Sequence, residues 1–140
     1  MDIRVAGAAD LGQLAWLLGR FEEHEQQTTD GSAFAAELVR WWDGHQASHV
    51  PFVAMPSSGA AVGMAWLAIA TRVPRPGRQG RLCGDVQSVY VVPEHRSAGI
   101  GAALIAAVTR HADAHSLEHV TVHANERART LYERAGFAVT

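Results

Sequence analysis

Apolar residues recur along this chain in two rhythms, one helical and one strand-like, and the switches between them divide it into elements. Leu11, Leu14, Ala15, Leu18 and Phe21 keep the three- and four-residue spacing of one helix face, which predicts an amphipathic helix with Asp10 as its N-cap. Ile3-Arg4-Val5 ahead of it reads as a short strand. Gln26 to Gly31 is polar and breaks the pattern. Phe34, Leu38 and Trp41 or Trp42 restore it, predicting a second helix from about Ser32 to Trp42 that Gly44 closes. Val50 to Met55 and Ala61 to Thr71 are apolar, β-prone runs around Pro56-Ser57-Ser58-Gly59, which signals a hairpin. Pro74 to Gly80 can be neither helix nor central strand and reads as a loop.

The second half has a different order. Asp85 to Val92 is apolar on both faces, as expected of a strand buried inside a sheet. Val86 to Val92, Gly101 to His115 and Val120 to His123 read as strand, helix and strand, a unit long enough for a parallel, right-handed crossover. A last helix, from about Glu126 to Ala135, has Ala128, Leu131, Tyr132 and Ala135 on one face and Gly136 just past its end. Neither a repeat nor a linker interrupts the pattern, so the expectation is one mixed α/β domain over residues 1–140.

Composition narrows the function classes. A formal net charge of −2 leaves no electrostatic footprint for nucleic acid or an anionic membrane, so neither is expected as a partner. Met1-Asp2-Ile3-Arg4 lacks a signal-peptide core, and no apolar run approaches the roughly 20 residues of a membrane span. A cytoplasmic protein is expected. Cys83 is the only cysteine, which excludes an intrachain disulfide and a thiolate metal cage. His111 and His115 stand four apart on one helix, a metal-ligand spacing, but nothing nearby in sequence supplies a third ligand and no metal is expected. The Trp residues at 16, 41, 42 and 66 read mostly as core, with the pair at 41 and 42 able to wall a pocket. Arg72, Arg75, Arg78 and Arg81 form a basic loop that is either solvated or an acceptor contact.

The chemistry concentrates at Arg96-Ser97-Ala98-Gly99-Ile100-Gly101, between a buried strand and a helix start. Free N–H groups of a first helical turn attract anions, two glycines allow positive φ and close approach of phosphate oxygens, and Arg96 adds positive charge at the mouth. A P-loop would need Lys-Ser/Thr after the second glycine, where Ala102-Ala103 stand. A dinucleotide fingerprint would need a third Gly or Ala, where Leu104 stands. The run Val89-Tyr90-Val91-Val92-Pro93 followed by Arg96-Ser97-Ala98-Gly99-Ile100-Gly101 resembles motif A of the GNAT family of N-acetyltransferases. Asn125-Glu126-Arg127-Ala128-Arg129-Thr130-Leu131-Tyr132, continuing to Gly136-Phe137, is similar to that family's motif B.

This resemblance covers nearly the whole chain and implies the GNAT fold: a mostly antiparallel central sheet, a parallel strand pair splayed by a bulge at the cofactor site, and helices on both faces. It implies acetyl-CoA as co-substrate, with its pyrophosphate on the backbone of Ser97, Ala98, Gly99, Ile100, Gly101 and Ala102 beside Arg96. The pantetheine arm would pair with Val89, Tyr90 and Val91 as an added strand, and Asn125 would touch the cofactor near the end of the next strand. Tyr132 would protonate the departing thiolate as general acid. Asp85 matches a position where several family members carry a catalytic base, with capping of the Cys83-Gly84 turn as its other reading; Gln87 shares its face. The implied reaction is direct transfer to a primary amine, of a small molecule or a peptide, in a ternary complex. A non-catalytic acyl-CoA-binding or sensing domain is the alternative, and retention of the Tyr132 phenol argues for the enzyme. The family normally ends in a two-strand hairpin, of which Phe137 to Thr140 offer only the beginning. Either the chain continues further, or a second copy completes the sheet edge as a homodimer.

Overall fold

Strand and helix form where these periodicities place them, with boundaries adjusted by packing. The computed structural model describes residues 1–24, 31–123 and 126–137. The strands are β1 (Asp2–Val5), β2 (His49–Met55), β3 (Gly63–Thr71), β4 (Leu82–Val91) and β5 (Val120–Val122). The helices are α1 (Leu11–His24), α2 (Gly31–His45), α3 (Ile100–Ala114) and α4 (Glu126–Arg134). The polar break expected at Gln26 to Gly31 falls largely outside the described residues, as do Asn125 and the residues 138–140 expected to begin a closing hairpin.

The five strands form one sheet in the order β1-β2-β3-β4-β5. The first three pairings are antiparallel and β4–β5 is parallel. Helix α3 packs against one face of this sheet and α1 against the other, with α2 on α1. Large side chains close the core between these layers: Leu14, Leu17, Phe52, Met64, Leu67, Leu104 and Ile105 are fully buried. A mixed sheet with helices on both faces is therefore observed, as expected.

Several local expectations change. Helix α2 continues through Gly44 to His45, because Trp41 stacks on the His45 ring at 4.3 Å and the imidazole Nδ1–H donates to the Trp41 carbonyl at 2.7 Å. Trp16 is 49% exposed, so it is not a core residue. Asp10 is not the cap of α1. It ends a 3₁₀ turn (Ala8–Asp10), accepts the Gly7 N–H at 2.9 Å and takes both arms of the Arg4 guanidinium at 2.9 and 3.0 Å. The Arg4 hydrogen bond holds its pKa below the usual carboxylate range, helped by the Gly7 N–H.

Asp10→Ala should therefore destabilise the fold, with loss of the Gly7 bond alone costing about 0.5–2 kcal/mol. A carboxylate whose pKa is lowered on folding stabilises above its unfolded value of about 3.9, and that contribution is lost as pH falls through the lower folded value. The gap in urea midpoint between wild type and variant should be full at pH 7 and shrink below about pH 4. An unchanged gap would show that the carboxylate's charge contributes nothing.

Candidate active site

Strand β4 builds the site because it changes partners along its length. Its first half pairs with β5 through Gly84, Asp85 and Val86, opposite Val120, Thr121 and Val122. The β4–β5 ladder ends at Val86, and among the described residues β4 alone continues, to Val91.

A bulge lies just past the end of this ladder. On the other side of β4, Gln87 pairs with Trp66 and Tyr90 with Met64, so Ser88 and Val89 together stand opposite Ala65. Ser88 takes φ 55°, a left-handed conformation that costs a non-glycine residue about 1–2 kcal/mol. The extra residue resets the alternation, bringing Gln87 and Tyr90 onto the same face of the sheet although they are three apart. Tyr90 is thereby turned inward, buried with its ring edge-on to Phe21 at 6.0 Å.

At the far end of β4 the chain makes a 3₁₀ turn (Pro93–His95) and enters the glycine loop. Ser97 has φ 69° and Gly99 φ 81°, so two left-handed residues deliver the chain to the first turn of α3. A Cβ on Gly99 would meet nothing within 4 Å, which leaves the loop's outer surface open. Ser97, Ala98 and Gly99 are exposed, Ile100 is buried and Ala102 is exposed on the helix. Gly101 lies within α3 and has no positive φ; a Cβ there would come within 3.3 Å of Leu131 Cδ2 of α4, which would have to give way. Arg96 donates from Nε to the Val91 carbonyl at 2.9 Å, and its guanidinium sits 5.6 Å from the Tyr90 ring centre. Its charge is thus held against the end of β4 beside the loop.

Helix α4 brings Tyr132 into the core, where it is 4% exposed. The reason is local. Gly136 takes φ 97°, its N–H bonds to the Glu133 carbonyl, and the Phe137 N–H reaches back to the Tyr132 carbonyl at 3.0 Å. This double closure, a Schellman motif, lays the Phe137 ring edge-on to Tyr132 at 5.9 Å. Burial pushes the phenol's pKa above its usual value, so it stays protonated at neutral pH.

Asp85 lies on the sheet face that also carries Gln87. Its Oδ1 accepts from the Thr121 hydroxyl at 3.0 Å and its Oδ2 from the Gln87 amide at 3.1 Å. The carboxylate is thus tied across the β4–β5 pair. The Cys83-Gly84 turn expected in its other reading is instead continuous strand, since β4 starts at Leu82.

Two cavities flank these elements, one at the β4 bulge and one between α3 and α4, and sequence reasoning anticipated neither in full. One, of about 270 Å³, opens on the bulge: Gln87 and Ser88 meet Leu18, Phe34, Leu38, Trp41 and Trp66 there. Glu37 and His49 complete its lining. Desolvation, with the neighbouring His45, lowers the pKa of His49 and favours the neutral ring. The other, of about 620 Å³, runs between α3 and α4 from Ala102 past Ala106 and Thr109, with Arg110 and Arg134 on it. The alternating small residues of α3 leave this space open.

Most of the remaining candidates are occupied elsewhere. In the basic loop, Arg81 grips both carboxylate oxygens of Glu118 at 3.0 Å, Arg78 bonds the same carboxylate, and Arg72 donates to His119 at 2.8 Å, while Arg75 is exposed. The Arg81 hydrogen bond chiefly holds the Glu118 pKa down. His111 and His115 stack at 4.0 Å, and among the described residues no three His, Cys, Asp or Glu side chains gather as a metal site.

Comparison with known proteins agrees with this geometry. The sequence profile of the acetyltransferase (GNAT) family matches residues 13–137. Glucosamine 6-phosphate N-acetyltransferase of Trypanosoma brucei brucei is 30% identical over 139 residues, covering 98% of this chain and 88% of that protein. Mycothiol acetyltransferase of Propionibacterium freudenreichii is 34% identical over 90 residues, 62% of this chain, a match that spans only 27% of that longer protein. A crystal structure of a Trypanosoma brucei acetyltransferase aligns with TM-score 0.76 and 28% identity, covering 99% of this chain and 93% of that one. A predicted acetyltransferase of Clostridium acetobutylicum solved with acetyl-CoA shares the fold, with TM-score 0.80 at 19% identity over 99% of this chain and 90% of that one. The profile match takes in β4 and β5, the glycine loop and the helix that carries Tyr132, and the protein accordingly belongs to the GNAT family and is an acyl-CoA-dependent acetyltransferase.

Proposed function

We propose that this enzyme moves the acetyl group of acetyl-CoA to the nitrogen of a primary amine by direct attack, with both substrates bound together. The observation that carries this reading is the bulge at Ser88 on β4, just past the end of the β4–β5 ladder at Val86, with the glycine loop at the far end of the same strand. The pantetheine arm occupies a slot along Val89, Tyr90 and Val91, and the pyrophosphate lies on the backbone from Ser97 to Ala102 beside Arg96. The nucleotide end follows the cleft between α3 and α4, where Arg110 and Arg134 supply positive charge. Asn125, by its match to motif B, contacts the cofactor near the end of β5.

In the reaction the amine nitrogen forms a bond to the thioester carbon, and the C–S bond breaks. A backbone N–H of the 89–91 stretch stabilises the developing oxyanion. The thiolate takes the Tyr132 proton, and solvent then reprotonates the phenolate. The amine proton leaves to Asp85 through water, because that carboxylate is tied to Thr121 and Gln87 and does not line the acceptor cavity. We place the protein in the cytoplasm: among the described residues no helix is long and apolar enough to cross a membrane, and Cys83 is a free thiol. The outer edge of β5 is where a second copy would pair in a homodimer.

Thiol release from acetyl-CoA across a panel of amines tests the reading. Acceptor-dependent release with intersecting double-reciprocal lines is expected, and parallel lines would overturn direct attack. Tight acetyl-CoA binding with no acceptor-dependent release would make the protein a sensor. Asp85→Asn should lower kcat/KM by about 10–100-fold at pH 7, and the deficit should shrink towards pH 10, where free amine becomes abundant without a base.

A further inference from the structure

We infer that the acceptor is a small amine with an apolar, preferably aromatic, body, seated in the cavity between Phe34, Trp41 and Trp66 with its nitrogen towards Ser88 at the bulge. This inference rests on the acetyl-transfer reading above and names its substrate class. The cavity and the proposed thioester slot share the bulge, because Gln87 and Ser88 both line the cavity. An amine held there faces the slot without crossing the sheet.

The walls are preorganised for a flat or branched apolar group. Trp41 lies on His45 at 4.3 Å, nearly parallel, while Trp66 and His49 meet it edge-on at 6.0 and 4.9 Å. The His49 Nδ1 hydrogen-bonds with the Ser48 hydroxyl at 2.8 Å, which fixes that ring in turn. A cavity whose rings are already locked orders few groups when a ligand enters. Its volume of about 270 Å³ is just below the roughly 300–1,000 Å³ usual for small-molecule sites, which favours a compact acceptor.

Charge points the same way. Among the described residues neither Arg nor Lys lines this cavity, and Glu37 is the one acidic residue on it. Such a lining attracts an ammonium and repels a phosphate. Three of the four arginines of the 72–81 loop, Arg72, Arg78 and Arg81, are engaged by Glu118 and His119, and none of the four lines this cavity. A sugar phosphate, the acceptor named for the trypanosomal relative, therefore fits this chain poorly.

The test pairs binding with turnover, using 2-phenylethylamine, spermidine and glucosamine 6-phosphate as probes of the full chain. Intrinsic tryptophan emission should change saturably with 2-phenylethylamine, and its kcat/KM in acetyl-CoA-dependent thiol release should exceed that of the other two at least about 100-fold. Trp41→Ala should raise KM for 2-phenylethylamine about tenfold or more while leaving KM for acetyl-CoA unchanged. Glu37→Gln, at an exposed position, should raise it severalfold and serves as the measurement should Trp41→Ala fail to fold. A preference for spermidine or glucosamine 6-phosphate would overturn the apolar acceptor and leave acetyl transfer standing. Saturable binding of 2-phenylethylamine with no thiol release from any amine would support the cavity and overturn the transfer reading. Absence of both binding and turnover with 2-phenylethylamine would sink the inference.

Discussion

Tyr132→Phe should lower kcat by about 10²–10³-fold and leave KM for acetyl-CoA unchanged, the pattern of a group that acts only in the transition state. The substitution removes one oxygen from a ring that is 4% exposed and keeps the ring that packs on Phe137, so the C-terminal closure of α4 should persist. Burial strengthens the argument for an acid. A phenol with a raised pKa remains protonated across the working range and is always ready to donate. The acid role also predicts a dependence on the leaving group. An acetyl thioester of a more acidic thiol needs less help on departure, so the variant should be impaired less with that donor. A kcat within about threefold of wild type, with either donor, would remove Tyr132 from the chemistry.

Gly99→Asp should raise KM for acetyl-CoA by about two orders of magnitude, equivalent to ~2.7 kcal/mol, with a stability loss of up to about 1–2 kcal/mol for the left-handed backbone that Gly99→Asn shares. Aspartate tolerates left-handed backbone better than most residues, and a Cβ at Gly99 meets nothing within 4 Å, so the fold can accept it. What it cannot accept is a pyrophosphate, because the carboxylate would stand where the phosphate oxygens approach the first turn of α3. Gly99→Asn is the control: similar shape without charge, and an expected rise in KM of about tenfold or less. Equal effects of the two substitutions would show that the loop binds no anion. At Gly101 the same experiment would be less clean, since a side chain there also displaces Leu131.

Much of this architecture is legible in the chain because it rests on local rules. The helix face from Leu11 to Phe21, the hairpin around Pro56 to Gly59 and the strand–helix–strand unit from β4 to β5 all appear as periodicities. Gly136 reads as the residue past α4 because only a left-handed residue closes a helix that way, and it takes φ 97°. Gly99 and Gly101 look alike in sequence but act differently, one through its backbone angle and the other through its missing Cβ. The pattern could not separate them, because the neighbour that constrains Gly101 is Leu131, thirty residues further along the chain.

The amino-acid sequence by itself determined the order of elements, the glycine loop, the position of Tyr132 on the apolar face of α4, and the family. Each follows from residue type and short-range spacing. Only the tertiary structure decided where β4 bulges, because Ser88 leaves the ladder in response to its register with Ala65 and to the end of the β4–β5 ladder, not to any preference of serine. It also decided that Arg78 and Arg81 serve Glu118, and that Phe34, Trp41, Trp66 and Gln87 wall one cavity. These residues come from α2, β3 and β4 and meet on one face of the sheet. Contacts of that range depend on how whole elements pack, and no window of sequence contains them.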